Sequence, residues 1–168
     1  MNVEEIKDVV TYQVLQVTGT YICPPGCRYI QVEAIGGGGS GAKTNTTSKG
    51  GDGGAGGYFK KNYEATDYAF IIGQGGASVS VQGTLGIAGG ASIFGLDNAY
   101  GGAGGGLITS GLPGSTLVAN PITTIITQFI EGYNIHGTNI GGGGLGVTRN
   151  ASTSKPGKNG IIIVKEIY

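Results

Sequence analysis

The sequence has little charge and few of the residue types from which active sites are commonly built. Charged residues make up 12% of its 168 positions, ten acidic residues balance ten basic ones, and tryptophan is absent. A net charge of zero supplies no long-range field for nucleic acid, so we expect no nucleic-acid partner. No apolar run approaches the ~20 residues that a membrane-spanning helix needs, so we expect no membrane insertion either.

Residues that bind metals or carry out catalysis are also scarce. His136 is the only histidine, and no second cysteine pair accompanies Cys23 and Cys27, so the ligand spacing of a zinc site is missing. The sequence contains no nucleophile elbow and no P-loop, and the G-x-G-x-x-G that begins at Gly36 is not followed by an apolar helical face. We therefore predict no metal, no cofactor and no enzymatic activity.

The two cysteines flank a tight turn. Cys23 and Cys27 lie on either side of Pro24-Pro25-Gly26, in which proline presets φ and glycine supplies a positive φ. A disulfide across this turn is geometrically possible, and closing so short a loop would stabilise the fold by only about 2 kcal/mol. The sequence slightly favours two free thiols and leaves both states open.

Glycine, in contrast, is abundant, with 37 residues or about three times the usual share. Glycine weakens a helix by about 1 kcal/mol per residue, which excludes a helical bundle, and the lack of a strict three-residue repeat excludes collagen. Segments rich in β-branched and aromatic residues separate the glycine blocks and predict strands. These segments are 9–17, 28–35, 58–63, 67–72, 91–94, 122–130 and 160–168.

The strand pattern predicts the fold class. We predict an N-terminal tail of residues 1–8 and one all-β domain of residues 9–168, an antiparallel, jelly-roll-like β-sandwich with long glycine-rich loops. Residues 9–17 and 28–35 are expected to pair with each other as antiparallel strands. The apolar run within residues 160–168 is typical of a central strand that is covered on both faces.

The glycine blocks, residues 36–57, 101–106 and 141–146, are compatible with two structures. They could be ordered surface loops that use positive φ, or polyproline-II-like strands in which only glycine allows the backbones to approach closely. Residues 50–57 carry glycine often enough for the second structure. We favour ordered loops and leave local polyproline-II packing open.

A small set of polar and aromatic residues lies in or beside the glycine-rich loops. Aromatic and amide groups that loops present above a rigid sheet are typical of carbohydrate or protein recognition. Packing of the tyrosines over a thin core is the alternative. The candidate ligand-binding residues are Tyr100, Tyr133, Asn134, His136 and Asn139.

A series of motifs runs through residues 17–168. It comprises G-T-Y at 19–21, the Pro-Pro-Gly turn, Y-I-Q-V-E-A-I at 29–35, G-G-A-G-G-Y-F-K-K at 53–61, F-I-I-G-Q-G-G-A at 70–77 and G-I-I-I-V at 160–164. This series resembles the glycine-rich domains of bacteriophage and prophage tail fibres. The resemblance implies a distal fibre or adhesin domain, often trimeric, that contacts a host surface.

These observations together give a functional expectation. We expect a non-enzymatic receptor-binding or attachment domain of a viral, phage-like fibre or adhesin, located at the virion surface or outside the cell. Its expected partners are a host-surface glycan or protein and further copies of itself in a trimer. The alternative is a structural virion protein, such as a capsid decoration or fibre-head subunit, whose glycine-rich segments pack between subunits.

Overall fold

The computed structural model describes residues 8–112, 116–117, 133–135 and 138–168, and the side chains of residues 8–112 and 140–168. No helix occurs in these ranges, so the predicted all-β class is confirmed. The predicted strand at 122–130 lies outside the described residues. The strands are β1 (Val10–Leu15), β2 (Gly19–Tyr21), β3 (Tyr29–Ile35), β4 (Tyr58–Glu64), β5 (Tyr68–Ile71), β6 (Ser92–Phe94), β7 (Asp97–Ala99), β8 (Thr116–Leu117), β9 (Tyr133–Ile135), β10 (Thr138–Ile140) and β11 (Ile161–Ile167).

The strands form two antiparallel sheets and a separate hairpin. The first sheet has the order β1-β11-β3-β4, the second has the order β2-β5-β6-β7-β8, and β9 pairs with β10. Apolar side chains from both sheets form one core, in which Tyr21, Ile30, Phe94 and Ile162 are almost completely buried. The predicted antiparallel, sandwich-like arrangement is therefore confirmed.

Strand β11 occupies the middle of the first sheet, as its apolar run predicts. Ile162 faces the core between the sheets, whereas Ile163 packs on the opposite face with Ile35 and Tyr58. The predicted direct pairing of residues 9–17 with 28–35 is wrong, because β11 lies between β1 and β3. A strand that is apolar on both faces is best covered in a central position, and the short β2 leaves the first sheet to pair with β5.

The glycine-rich segments pack against one another as a bundle around a central segment, residues 36–44. Successive N–H groups of this segment donate to three different neighbours in turn. The first neighbour is the segment 50–57, whose Gly57, Gly54 and Gly51 carbonyls accept from Gly36, Gly39 and Ala42, respectively. The second is the segment 84–90, whose Gly90, Ile87 and Thr84 carbonyls accept from Gly37, Ser40 and Lys43. The third is the segment 154–160, whose Lys158 and Lys155 carbonyls accept from Gly38 and Gly41. Every third residue thus faces the same neighbour, as three residues per turn in polyproline II require.

The carbonyl groups of the central segment bind three further neighbours. Gly38 accepts from Gly76, Gly39 accepts from Gly144, and Ser40 accepts from Gly105. The central segment is therefore surrounded on six sides by the other segments of the bundle. These are residues 50–57, 73–79, 84–90, 100–106, 141–147 and 154–160.

Glycine is needed in the bundle because the backbones touch. A Cβ placed at Gly39 would lie 2.0 Å from the carbonyl oxygen of Ala103, and one at Gly56 would lie 2.0 Å from that of Gly36. Positive φ does not explain these glycines, since among the described residues it occurs at Gly26, Gly83, Gly95 and Gly141. The glycine blocks do connect the strands, but their structure is the polyproline-II-like packing that the sequence left open.

The bundle predicts a strong contrast between two Gly→Ala substitutions. Gly39→Ala should lower the free energy of unfolding by about 3 kcal/mol or more, because a backbone carbonyl stands where the methyl group would lie. Gly19→Ala is the matched control, since its Cβ would meet the Phe70 ring at an ordinary 3.6 Å. Urea denaturation measures both, and equal effects would contradict the packing argument.

Candidate binding surface

The glycine bundle has two ends with different surroundings. At one end its segments continue into strands β3, β4, β5, β6, β7, β10 and β11. At the other end, where Lys43 pairs with both Thr84 and Val147, four connections join the segments. We call this end the tip, and its four connections are residues 45–49, 80–83, 107–110 and 148–153.

A buried lysine holds the tip together from beneath. Lys43 is only 6% exposed, and its ammonium group donates to the carbonyl oxygens of Ser80 at 2.7 Å and Ser152 at 2.9 Å. The neighbouring Thr44 hydroxyl donates to the carbonyl of Ser48 at 2.7 Å. Three of the four connections are therefore tied to the last two residues of the central segment.

The tip connections also bond to one another and expose polar side chains. The Arg149 N–H donates to the Thr46 carbonyl at 3.1 Å, and the Gln82 side-chain amide donates to the Arg149 carbonyl at 3.2 Å. Ile108, in the connection 107–110, is 90% exposed. The other exposed side chains of the tip include Asn45, Thr46, Thr47, Ser48, Lys49, Gln82, Arg149 and Asn150. Amides, hydroxyls and cations on a fixed scaffold are suited to binding sugars or polar protein surfaces.

Sequence reasoning missed the tip. Its candidate Tyr100 directly follows β7 at the opposite end of the bundle, where it is 40% exposed and its carbonyl accepts from Gly57 at 2.7 Å. The signal for the tip was present in the short polar runs at 45–49 and 148–153, which interrupt the glycine-rich pattern. These runs could not be grouped from sequence, because the topology of the whole bundle decides which connections lie at the same end of the molecule.

The other predicted residues belong to the β9–β10 hairpin or lie outside the described residues. Tyr133 and Asn134 lie in β9 and Asn139 lies in β10, and the strand register places Asn139 directly opposite Asn134. The structure thus places these two residues opposite each other on neighbouring strands. His136 lies outside the described residues.

Cys23 and Cys27 are both free thiols in the structure and half-buried beside the core. The Cys27 thiol donates to the Tyr29 carbonyl at 3.3 Å, and the Cys23 N–H donates to Asp67 Oδ1 at 2.8 Å. Burial, together with the neighbouring Cys27, raises the pKa of the Cys23 thiol, which lowers its thiolate fraction at neutral pH. The disulfide alternative is a prediction that awaits a redox measurement.

Two buried carboxylates stabilise the sandwich. Asp97 on β7 accepts from Lys61 at 2.8 Å and from the Tyr63 hydroxyl at 2.5 Å, both on β4, so it links the two sheets. Glu166 accepts from the Tyr21 hydroxyl at 2.9 Å, which links them a second time. Burial and the hydrogen bonds to these carboxylates raise the pKa values of Tyr63 and Tyr21. Satisfied buried groups of this kind are typical of structural roles.

The described residues hold neither a metal-ligand cluster nor a membrane-spanning helix. In the described ranges no group of three or more His, Cys, Asp and Glu residues is placed to hold a metal ion. Within the same part of the chain no helix is long and apolar enough to cross a membrane.

Comparison with known proteins identifies the family. A family model described as a glycine-rich domain matches residues 14–128, which is more than half of the chain. The sequence matches no curated protein. The chain belongs to this glycine-rich domain family, and the segments 141–147 and 154–160 of its bundle lie beyond the matched region.

Removal of the lysine beneath the tip should loosen its connections. Lys43→Met keeps a long side chain but leaves the carbonyls of Ser80 and Ser152 without their donor, at a cost of about 1–3 kcal/mol. Amide hydrogen exchange should accelerate at residues 80–83 and 150–153 and stay slow in the core strands. Lys165→Met on β11 is the control, and unchanged exchange at the tip in Lys43→Met would contradict this role.

The bundle should also lose stability in acid. Burial alone would raise the pKa of Asp52, but the Lys49 ammonium at 2.8 Å and the Gly146 N–H at 2.7 Å outweigh burial and lower it from 3.8. The ionised carboxylate therefore stabilises the fold above about pH 4, and this contribution disappears as the pH falls through the lowered pKa.

A pH series of urea denaturations tests this contribution. The free energy of unfolding of Asp52→Asn should fall less steeply below about pH 4 than that of the unsubstituted protein. The exposed Glu64→Gln is the control with the same change of charge. An identical acid slope for Asp52→Asn and the unsubstituted protein would refute the assignment.

Proposed function

We propose that this member of the glycine-rich domain family is a non-enzymatic attachment domain of a viral, phage-like fibre or adhesin. Its tip contacts a glycan or a protein on the surface of the host cell. The observation that carries the proposal is the construction of the tip, in which a buried lysine and a hydrogen-bonded bundle hold polar connections in place.

The energetics of binding support this use of the bundle. A mobile loop loses conformational freedom when it binds, which costs about 0.5–1.5 kcal/mol for each immobilised side chain. Connections that are already held by Lys43 and Thr44 lose less, so more of the contact energy is left for affinity. Binding residues are commonly found on such loops above a rigid scaffold.

The biological setting rests on the order of the motifs. Family membership supports a glycine-rich domain, and the resemblance to tail-fibre domains supports a place at the virion surface or outside the cell. We propose a homo-oligomer, with a trimer as the expected form. In such an assembly the sandwich end would adjoin the rest of the fibre and the tip would point away from it.

The alternative, a structural virion protein with glycine segments between subunits, has less support. The described glycine segments donate their hydrogen bonds to one another within one chain, as in the pair Gly39 to Gly54. A second subunit would therefore meet side chains on the outside of the bundle rather than the glycine backbones. Mass photometry together with the location of the protein on a particle would favour this alternative if no cell is bound.

Cell binding tests the proposal. Fluorescently labelled protein should bind candidate host cells, and Gln82→Ala and Arg149→Ala at the tip should each weaken binding about tenfold, as central contact residues do. Leu96→Ala is the control, since Leu96 is 80% exposed in the β6–β7 turn, far from the tip. Flow cytometry measures the affinities, and circular dichroism checks that each variant is folded.

The same experiment separates the two candidate surfaces. If Tyr100→Ala abolishes binding while the tip variants bind normally, the contact surface lies at the strand end of the bundle. If the tip variants and the control all bind like the unsubstituted protein, the tip proposal is wrong.

A further inference from the structure

The neutral sequence hides an uneven distribution of charge. The bundle and its connections, residues 36–57, 73–91, 100–112 and 141–160, carry five cations and one carboxylate. The cations are Lys43, Lys49, Lys155, Lys158 and Arg149, and the carboxylate is Asp52. The bundle therefore has a net charge of +4, and the rest of the chain has −4. A local potential of this kind attracts anionic partners even when the whole protein is neutral.

Two of these cations lie along one side of the bundle. Lys155 and Lys158 are three residues apart in the segment 154–160, so they are separated by one polyproline-II turn, or about 9 Å. Both are exposed, whereas Ser154 and Gly160 of the same segment are buried. Neither lysine forms a salt bridge with any carboxylate in the described part of the chain. Arg149, at the tip end of the same stretch of chain, is also exposed and without an ion pair among these residues.

Lys158 also borders an open cavity of about 670 Å³. The other residues of its lining include Gln16 and Asn159, which carry amide side chains, and the apolar Val17 and Ile140. The side-chain Oδ1 of Asn159 accepts from the Gly75 N–H at 2.8 Å, which fixes the orientation of that amide. The volume lies in the range of small-molecule sites, and the combination of one cation, two amides and an apolar wall fits a sugar ring that bears a carboxylate.

We propose that this cavity is a subsite for a carboxylate-bearing sugar and that Lys155 and Arg149 extend it into a track for an acidic polysaccharide of the host surface. The cavity lies at the strand end of the bundle, where β10 ends and β11 begins, and the track runs from there along residues 154–160 to Arg149 at the tip. The inference rests on the proposed attachment function and names its class of ligand. Lys158 pairs with the carboxylate in the cavity, the two amides bind ring hydroxyls, and Lys155 meets the next carboxylate along the polymer.

Nucleic acid fits this surface less well. Binding of single strands relies on aromatic side chains on which the bases stack. Within the described segments 36–57, 73–91, 100–112 and 141–160, Tyr100 at the strand end is the only tyrosine, phenylalanine or tryptophan, so the bundle offers no row of aromatic side chains. A sugar polymer needs no such stacking platform when amides and cations bind its hydroxyls and carboxylates.

Calorimetric titration tests the ligand class. The probes are oligogalacturonate and oligosialate, each with a carboxyl-reduced counterpart of the same length, and a single-stranded DNA of equal charge. At least one acidic oligosaccharide should bind, its reduced counterpart should not, and the DNA should bind more weakly. Lys158→Gln should weaken binding about tenfold, which corresponds to the loss of one charged hydrogen bond of about 1.4 kcal/mol.

Lys165→Gln on β11 is the matched control, because it makes the same change of charge outside the bundle and should alter affinity less than about twofold. Normal binding by Lys158→Gln, equal binding of the reduced oligosaccharides, tighter binding of DNA or binding of none of the probes would each overturn the inference.

Cell binding by the Lys155→Gln, Lys158→Gln double variant separates this inference from the proposed function. If the unsubstituted protein and the double variant bind host cells equally, attachment stands and the acidic ligand is wrong. If the unsubstituted protein binds acidic oligosaccharide but no cell, the ligand class stands and attachment fails.

Discussion

The close approach of backbone to backbone in the glycine bundle is the constraint on which the rest of the structure depends. The carbonyl of a neighbouring segment occupies the place where a Cβ would lie at Gly39 and Gly56, so the side chain must be absent there. In return, the N–H and carbonyl groups of the central segment find partners in six neighbours. The bundle is thus held by polar backbone contacts, whereas the sandwich below it is held by an apolar core.

The sequence predicts the sandwich better than the bundle. Alternating β-branched and aromatic residues identify strands such as β3 and β4, and the apolar run at 160–164 identifies the central β11, because these signals are local. The partners of Gly39, in contrast, are Gly54 and Gly144, which are far away in the chain. The three-residue pattern is also broken by Ser40, which is tolerated because its hydroxyl accepts from the Ile87 N–H at 2.8 Å.

The candidate site shows the same difference between features that are local in the sequence and features that depend on how distant segments pack. Tyr100 and the hairpin residues were chosen by side-chain type, which sequence displays directly. The tip depends instead on which connections meet at one end of the bundle. The positive charge along one side of the bundle depends on Lys155 and Lys158 being separated from the acidic residues of the sandwich. A total charge of zero carries no information about such a separation, so the acidic-ligand inference required the arrangement of the segments.

The three-residue turn of the bundle has a consequence for how such a chain can change over generations. Insertion or deletion of one residue within the central segment would rotate everything beyond it by a third of a turn, so each glycine would face the wrong neighbour. Only changes in multiples of three would preserve the register. The tip connections carry no such restriction and can change in length as well as in composition. The fold therefore confines changes in length to the tip connections, which form the proposed contact surface.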